Sequence, residues 1–229
     1  MDTLVMFIET QSGHKDLVRS LNILDIPYVR LMENEEWPGH FGALQIYVDA
    51  LKKINNEWVL LTDARDVLFY KDLKQINETY YNYYFDYDII VQAEDTPGGC
   101  IHFRKLKIPR YSFSDTYYKY PCAGLVMGRR NSIIDFYEDV IDNVPSPWDI
   151  TDQSAIEWGM ANLSHNIGLD TECRLFQQMG MEDFSGMNYH LHFTKDFIKN
   201  EYTQTEPCIF HGAGKSFLQP VWKIINGLY

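Results

Sequence analysis

The segment WVLLTDARDVLFY, residues 58–70, joins a short apolar run to two acidic side chains. The run Trp58–Thr62 has the length and composition of a buried β-strand. Asp63 and Asp66 follow it with D-x-x-D spacing, which predicts two carboxylates at the carboxyl edge of a sheet, where open α/β sheets bind ligands. Two hard oxygen ligands there suit Mg²⁺ or Mn²⁺ holding a diphosphate. Asp after a strand is also a common turn former or helix N-cap.

Strands and helices alternate on both sides of this segment, a pattern that favours an α/β layer fold. We predict strands at 4–8, 28–31, 57–62, 88–93, 123–128, 173–176 and 207–210, and helices at 15–24, 43–54, 71–84, 132–141, 152–161 and 217–225. Residues 33–42 are predicted to form a loop, and residues 95–114 an irregular insertion near the site. No internal repeat or linker interrupts the chain, so one domain over 1–229 is the simplest interpretation.

The composition excludes several classes of protein. The chain has 229 residues and is 45% hydrophobic, enough to bury a sizeable core. It contains no apolar stretch of the roughly 18–20 residues that a membrane span needs, and its start lacks the features of a signal peptide, so we expect a cytoplasmic protein without a membrane partner. The net charge of -12 disfavours non-specific binding to nucleic acid. The four cysteines form no C-x-x-C pair, which predicts free thiols rather than a zinc site.

The segment IFHGAGKS, residues 209–216, is a second candidate for phosphate chemistry. After a short predicted strand come a histidine, two glycines and a lysine: His211, Gly212, Gly214 and Lys215. Such a turn can wrap a phosphate with backbone N–H groups. A complete Walker A loop requires glycine at the position of Ile209, so a P-loop phosphotransferase is a minor alternative. A simple glycine turn with Ser216 as helix N-cap would leave the roles of His211 and Lys215 unexplained.

Two weaker groups of polar residues complete the candidate site. The segment DITDQ, residues 149–153, puts Asp149 and Asp152 near the start of a predicted helix. Acidic side chains at a helix start interact favourably with the helix dipole, so capping is one interpretation. In a functional interpretation, Asp152 could face a sugar hydroxyl or act as a base. Residues 9–11, Glu-Thr-Gln, follow the first strand and could hold a nucleotide base or ribose at the same sheet edge.

In this order, these segments resemble the glycosyltransferase domain of the procollagen lysyl hydroxylases (PLOD) and its viral and microbial relatives. The similar segments run along nearly the whole chain: residues 7–11, 34–37, 45–54, 60–69, 92–94, 123–128, 151–153, 169–179 and 209–216. The resemblance implies a GT-A-type, Rossmann-like fold with a mixed, mostly parallel central sheet. It also implies a metal-dependent enzyme that moves a sugar from a UDP-sugar to a hydroxyl acceptor with Mn²⁺ or Mg²⁺. A viral source would place it in the host cytoplasm.

The resemblance assigns roles residue by residue. The family's metal ligands fall on Asp63, Asp66 and His211. Its nucleotide contacts fall on Glu9, Thr10 and Gln11, on Asp63, Ala64 and Arg65, and on the turn with Gly212, Gly214 and Lys215. Its acidic, catalytic helix start falls on Asp149 and Asp152.

The chain departs from the family pattern mainly on the acceptor side. Arg65 stands where the family has an aromatic that packs against uracil, and Cys122 stands where it has Asn. A tryptophan expected after Glu94 is absent. The acceptor therefore stays open between a hydroxylysine-like side chain of a protein, a glycan and a hydroxymethylated base in nucleic acid. A sugar-nucleotide-binding domain without turnover is the main alternative to an enzyme.

Overall fold

The computed structural model describes residues 1–10, 15–95, 113–145, 151–179, 191–194, 197–212 and 218–226. Its strands are β1 (Thr3–Ile8), β2 (Tyr28–Leu31), β3 (Trp58–Thr62), β4 (Val67–Phe69), β5 (Ile89–Glu94), β6 (Tyr120–Arg129), β7 (Ile167–Asp170), β8 (Phe176–Gln178), β9 (Leu191–Phe193), β10 (Ile198–Asn200) and β11 (Ile209–His211). Its helices are α1 (Lys15–Ile23), α2 (His40–Leu51), α3 (Leu73–Tyr83), α4 (Arg130–Asn143), α5 (Asp152–Asn162) and α6 (Gln219–Ile225).

A six-stranded mixed sheet in the order β2-β1-β3-β6-β5-β7 forms the centre of the fold. Strand β6 runs antiparallel to β3 and β5, while the other neighbouring pairs are parallel. The predicted α/β architecture with a mostly parallel sheet is therefore confirmed. Because β1, β3 and β5 run in the same direction, the residues that follow them emerge at one edge. Glu9, Asp63 and Asp95 are the first residues beyond those strands.

Both faces of the sheet are covered by helices, which explains the continuous apolar run of β3. Trp58 and Leu60 belong to the core beneath α1 and α3, whereas Val59 and Leu61 belong to the core beneath α2, α4 and α5. All five residues of β3 are buried. A side chain of this size contributes about 1.5–3 kcal/mol when it is fully buried, so a charged residue at Leu60 would disrupt the layer that presents Asp63.

A smaller three-stranded sheet, β4-β11-β8, lies beyond the end of β3. Strand β11 pairs antiparallel with β4 and parallel with β8. The sequence analysis did not predict β4, and it placed the strand at 173–176 too early, since β8 begins at Phe176. The reason is Asp170, whose buried carboxylate accepts hydrogen bonds from the backbone N–H groups of Arg174, Leu175 and Phe176 and holds residues 171–175 in a turn.

Most other boundaries follow the sequence pattern. The predicted loop at 33–42 ends earlier than expected, because α2 begins at His40. Helix α3 begins after Asp72, whose side chain forms a capping box with Gln75. Strands β7, β9 and β10 were not predicted, and most of the predicted insertion at 95–114 lies outside the described residues. Within the described part of the chain, no helix has both the length and the apolar character required to cross a membrane.

Candidate metal centre

Three side chains from three different strand ends converge beside the main sheet. Asp63 follows β3, Asp66 precedes β4 and His211 ends β11. One ligand atom of each lies within 4.8 Å of the other two. Nε2 of His211 lies 3.3 Å from Oδ2 of Asp63 and 3.6 Å from Oδ1 of Asp66. The structure thus brings together the three residues for which the sequence analysis predicted a metal-binding role.

Backbone hydrogen bonds hold these three residues in place. The β4–β11 register sets His211 opposite Val67, directly after Asp66. The N–H of Gly212 donates to the carbonyl oxygen of Asp66 at 2.6 Å, and the N–H of Asp63 donates to that of Gly124 at 2.8 Å. Because main-chain bonds fix both loops, the cluster is formed by the fold itself and does not depend on flexible side chains.

The imidazole of His211 is almost completely buried. Its side chain is 2% exposed, whereas those of Asp63 and Asp66 are 52% and 28% exposed. Nδ1 lies 2.8 Å from Oε1 of Gln92 and 3.7 Å from Sγ of Cys122. Nε2 is buried, and although both carboxylates are near, neither is aligned for a hydrogen bond with it. A buried nitrogen without such a partner, aimed at two acids, is what a cation-binding imidazole presents.

Burial and the neighbouring groups have opposite effects on the protonation of His211. Burial favours its neutral form, but Cys122 and the carboxylates of Asp63 and Asp66 outweigh this and raise the pKa of His211 well above its usual value. Partial desolvation opposes the ionisation of Asp63, whose side chain is half exposed, but contact with His211 outweighs it and lowers the pKa of that carboxyl. Two ionised carboxylates and one imidazole nitrogen form a mixed oxygen and nitrogen donor set that fits a divalent cation such as Mn²⁺.

The predicted nucleotide-contacting residues lie at the same edge of the sheet as far as they are described. Glu9 is buried, and Nε of Arg30 lies 3.0 Å from its Oε2 without the alignment of a hydrogen bond. Thr10 is partly buried, Ala64 is buried and Arg65 is exposed. The other predicted contacts, Gln11, Gly214 and Lys215, lie outside the described residues, as does Asp149. The N–H of Gly212 is already used by Asp66.

Asp152 opens helix α5 and faces the same cleft as Asp63. Thr151 is the N-cap, since its side chain accepts a hydrogen bond from the N–H of Ser154. Asp63 and Asp152 both line a cleft whose apolar walls include Trp37. Asp63, a predicted metal ligand, and Asp152, the predicted base, therefore line one cavity.

His40 is a site residue that the sequence analysis missed. Its Nδ1 lies 3.5 Å from Oδ1 of Asp152, and its ring packs edge-on against Trp37. The contact with the Asp152 carboxylate raises the pKa of His40. No spacing rule connects a histidine at the start of α2 to an acid at the start of α5, so the sequence carried no signal for this pair.

A buried polar network supports the start of α5. Glu94, 1% exposed at the end of β5, accepts hydrogen bonds from Nε2 of Gln153 at 2.5 Å and from Nε2 of Gln178 at 2.9 Å. Gln178 is paired with His211 in the β8–β11 register. The network therefore ties the helix that carries Asp152 to the small sheet that carries His211.

Comparisons with known proteins identify the family and the fold of this chain. The family profile described as the PLOD GT domain matches residues 2–221. A crystal structure of a glycosyltransferase involved in glycosylation of the major capsid of PBCV-1 is similar, with a TM-score of 0.56, 15% sequence identity and 98% of each chain covered. The apo structure of mouse xyloside xylosyltransferase 1 has a TM-score of 0.51 and 10% identity, with 94% of this chain and 86% of that chain covered. No curated protein sequence matches the chain. At these identities the structures show the fold, and they confirm the GT-A type that was predicted.

Proposed function

The chain belongs to the PLOD GT domain family of glycosyltransferases, and we propose that it transfers a sugar from a UDP-sugar to a hydroxyl acceptor with the help of a divalent cation, Mn²⁺ or Mg²⁺. One observation carries the proposal. The cluster of Asp63, Asp66 and His211 presents a buried Nε2, which has no hydrogen-bond partner among the described residues, toward two carboxylates at the sheet edge where α/β folds bind ligands.

Asp63, Asp66 and His211 would hold the cation. When bound, the cation supplies Lewis-acid stabilisation of the charge that develops on the UDP leaving group, an effect worth several kcal/mol. The chain contributes the placement of the ligands, because the backbone hydrogen bonds between Asp63 and Gly124 and between Gly212 and Asp66 hold their main chains in position.

Glu9 and Arg30 are suited to recognise the base of the donor. The carboxylate of Glu9 is buried and its Oε2 lacks an aligned hydrogen bond, although the Arg30 guanidinium is 3.0 Å away. Uracil offers one N–H donor flanked by two carbonyl acceptors. An acceptor from Glu9 and donors from Arg30 match that edge, and a hydrogen bond from the base to Oε2 of Glu9 would offset part of the cost of burying this carboxylate. Because the N–H of Gly212 binds Asp66, phosphate contacts are left to Gly214 and Lys215.

Asp152 is proposed to orient and deprotonate the acceptor hydroxyl, with Asp149 as a second acid near the same helix start. The acceptor oxygen then bonds to the anomeric carbon as the bond from that carbon to UDP breaks, and the hydroxyl proton passes to Asp152. General-base assistance of this kind is typically worth about 10²- to 10⁴-fold in rate. The acceptor classes are a hydroxylysine-like side chain, a glycan or a hydroxymethylated base. The net charge of -12 weighs against nucleic acid.

The test is UDP release from a panel of UDP-sugars with Mn²⁺, with and without EDTA. We expect release only with metal, and loss of release in Asp63→Ala and His211→Ala. Asp142→Ala, which removes an exposed acid of α4, is the matched control. Turnover without metal, or unchanged turnover in both site variants, would refute the assignment. UDP binding without release would support the binding-domain alternative, and ATP binding unaffected by Asp63→Ala would support the P-loop alternative.

A further inference from the structure

We propose that Gln92 and Gly124 are positioning residues that set the orientation and tautomer of His211, so that Nε2 faces the cation. This inference deepens the proposed metal centre and rests on it. Neither residue was singled out by the sequence as part of the site. Both act from strands of the main sheet on a ligand that belongs to the smaller sheet.

Gly124 provides the space in which the imidazole ring lies. A Cβ atom at this position would come within 2.1 Å of Cε1, 2.6 Å of Nδ1 and 2.9 Å of Nε2 of His211. All three are atoms of one rigid ring that is also packed against Gln92 and Cys122. Any side chain at position 124 must therefore displace the ring, and with it the ligand nitrogen. The carbonyl of Gly124 also accepts the N–H of Asp63, so the same residue positions two of the three ligands.

Gln92 determines which ring nitrogen carries the proton. A histidine that binds a cation through Nε2 keeps its proton on Nδ1, and that N–H needs an acceptor. Oε1 of Gln92 lies 2.8 Å from Nδ1 and supplies it. Nδ1 donates in the doubly protonated ring as well, so the same contact holds before and after a cation binds. The ring is therefore oriented in advance.

Gln92 has an unfavourable feature that a purely structural role does not explain. Its side chain is fully buried, and its Nε2 has no hydrogen-bond partner within the part of the chain that the structure describes. A buried amide with an unpaired NH₂ group costs free energy relative to an apolar residue of similar shape. The compensating feature in the structure is the bond from its oxygen to His211.

An irregularity in the strand pairing brings these residues to the ring. The register between β5 and β6 shifts between Val91 and Gln92, so that Val91 is paired with Val126 but Gln92 with Cys122. Residues 123–125 of β6, including Gly124, are left without partners in β5. Bulges of this kind re-aim side chains next to active sites. Here the shift directs Gln92 and Cys122 to Nδ1.

The experiment measures Mn²⁺ binding to the full chain, without donor or acceptor, by electron paramagnetic resonance. The free-ion signal gives the dissociation constant, and pulsed measurements show whether an imidazole nitrogen is coordinated to Mn²⁺. We expect Gln92→Leu to weaken binding by about 10- to 100-fold, the range for a lost outer-shell partner. Gln92→Glu, which keeps an acceptor oxygen, should restore binding to within a few-fold of wild type.

Gly124→Ala should remove the nitrogen coupling and weaken binding as much as His211→Ala. Its matched control is Gly159→Ala, because a Cβ atom at Gly159 would come within 2.5 Å of Val140 in the α4–α5 contact. The control variant should be destabilised but bind Mn²⁺ like wild type, so a loss confined to Gly124→Ala cannot arise from instability.

The outcomes separate this inference from the proposed metal centre. If the wild type shows no Mn²⁺ binding or no nitrogen coupling, the metal centre itself is wrong. If the wild type binds Mn²⁺ through a nitrogen, and Gln92→Leu and Gly124→Ala bind equally well, the positioning role alone is overturned. Equal weakening in Gln92→Leu and Gln92→Glu would also overturn it, because the effect would then not follow the acceptor oxygen.

Discussion

Replacing Asp170 should cost this protein much of its folding stability. The residue is fully buried, and its carboxylate accepts hydrogen bonds from the backbone N–H groups of Arg174 at 3.0 Å, Leu175 at 2.9 Å and Phe176 at 2.7 Å. Asp170→Ala would leave three backbone donors unpaired, of which those of Leu175 and Phe176 are buried and that of Arg174 is partly buried. At about 1–3 kcal/mol each, the loss is about 3–9 kcal/mol, a large part of the roughly 5–15 kcal/mol that stabilises a typical domain.

Two milder variants make the prediction quantitative. In Asp170→Asn the amide oxygen can take the position of Oδ2 and keep the bonds to Leu175 and Phe176. The N–H of Arg174 and the hydroxyl of Tyr84 both bond Oδ1 and lose this acceptor. The hydroxyl can rotate to accept from the new NH₂ group whereas the N–H cannot, so we expect a loss of about 1–3 kcal/mol. Tyr84→Phe removes only the hydroxyl that donates to Asp170 and should cost about 0.5–1.5 kcal/mol.

The assay is urea unfolding followed by circular dichroism, with linear extrapolation to water and comparison of the slopes. The exposed acid of α4 gives the control Asp142→Asn, which should change stability by less than about 0.5 kcal/mol. If Asp170→Ala cost less than about 1 kcal/mol, or no more than Asp170→Asn, the count of buried donors would be the wrong basis for this prediction.

Three further predictions concern the site. Mn²⁺ at about 100 times its dissociation constant should stabilise the wild type by about 2.7 kcal/mol and raise the melting temperature by about 5–11 °C. The rise is measured by calorimetry, and the same rise in Asp66→Ala would count against the metal centre. The contact with Asp152 raises the pKa of His40. The pair therefore stabilises the fold at pH values below the unfolded-state pKa of His40, and this stabilisation is lost as the pH rises through the folded-state pKa. An NMR titration should show the pKa of His40 falling toward its ordinary value in Asp152→Asn, and an unchanged value would disprove the pairing. Burial raises the pKa of Cys122 to about 11. Iodoacetamide at pH 8 should therefore label this thiol slowly in the folded chain and quickly in urea, as measured by peptide mass spectrometry. Fast labelling of the folded chain would contradict this.

The sequence predicted the elements whose signals are local. Strand β3 is apolar at every position because it is covered on both faces, and its end at Thr62 and the two acids beyond it follow from residues 58–70 alone. The longer helices were predicted for the same reason. The short strands β4, β7, β9 and β10 were missed, because three or four residues carry too little pattern and their pairing partners lie elsewhere in the chain.

The candidate site was predictable only in part. Asp63, Asp66 and His211 came from a strand-end pattern and from a family resemblance, and the structure brings them within one cluster. His40 and Gln92 were not predicted as site residues, although Gln92 lies in one of the segments that resemble the family. Each is an ordinary residue in its own segment, and each becomes part of the site only through a neighbour that lies far away in the sequence.

The sequence by itself determined the α/β class and the order of the longer strands and helices, and it supplied candidate groups for binding a cation and a diphosphate. These depend on periodicities of a few residues and on side-chain chemistry, both of which are local. Only the tertiary structure decided that β11 lies beside β4, that Gly124 leaves room for the imidazole, and that Gln92 faces Nδ1. Those contacts depend on the register between strands, and a register is set by the packing of the whole sheet.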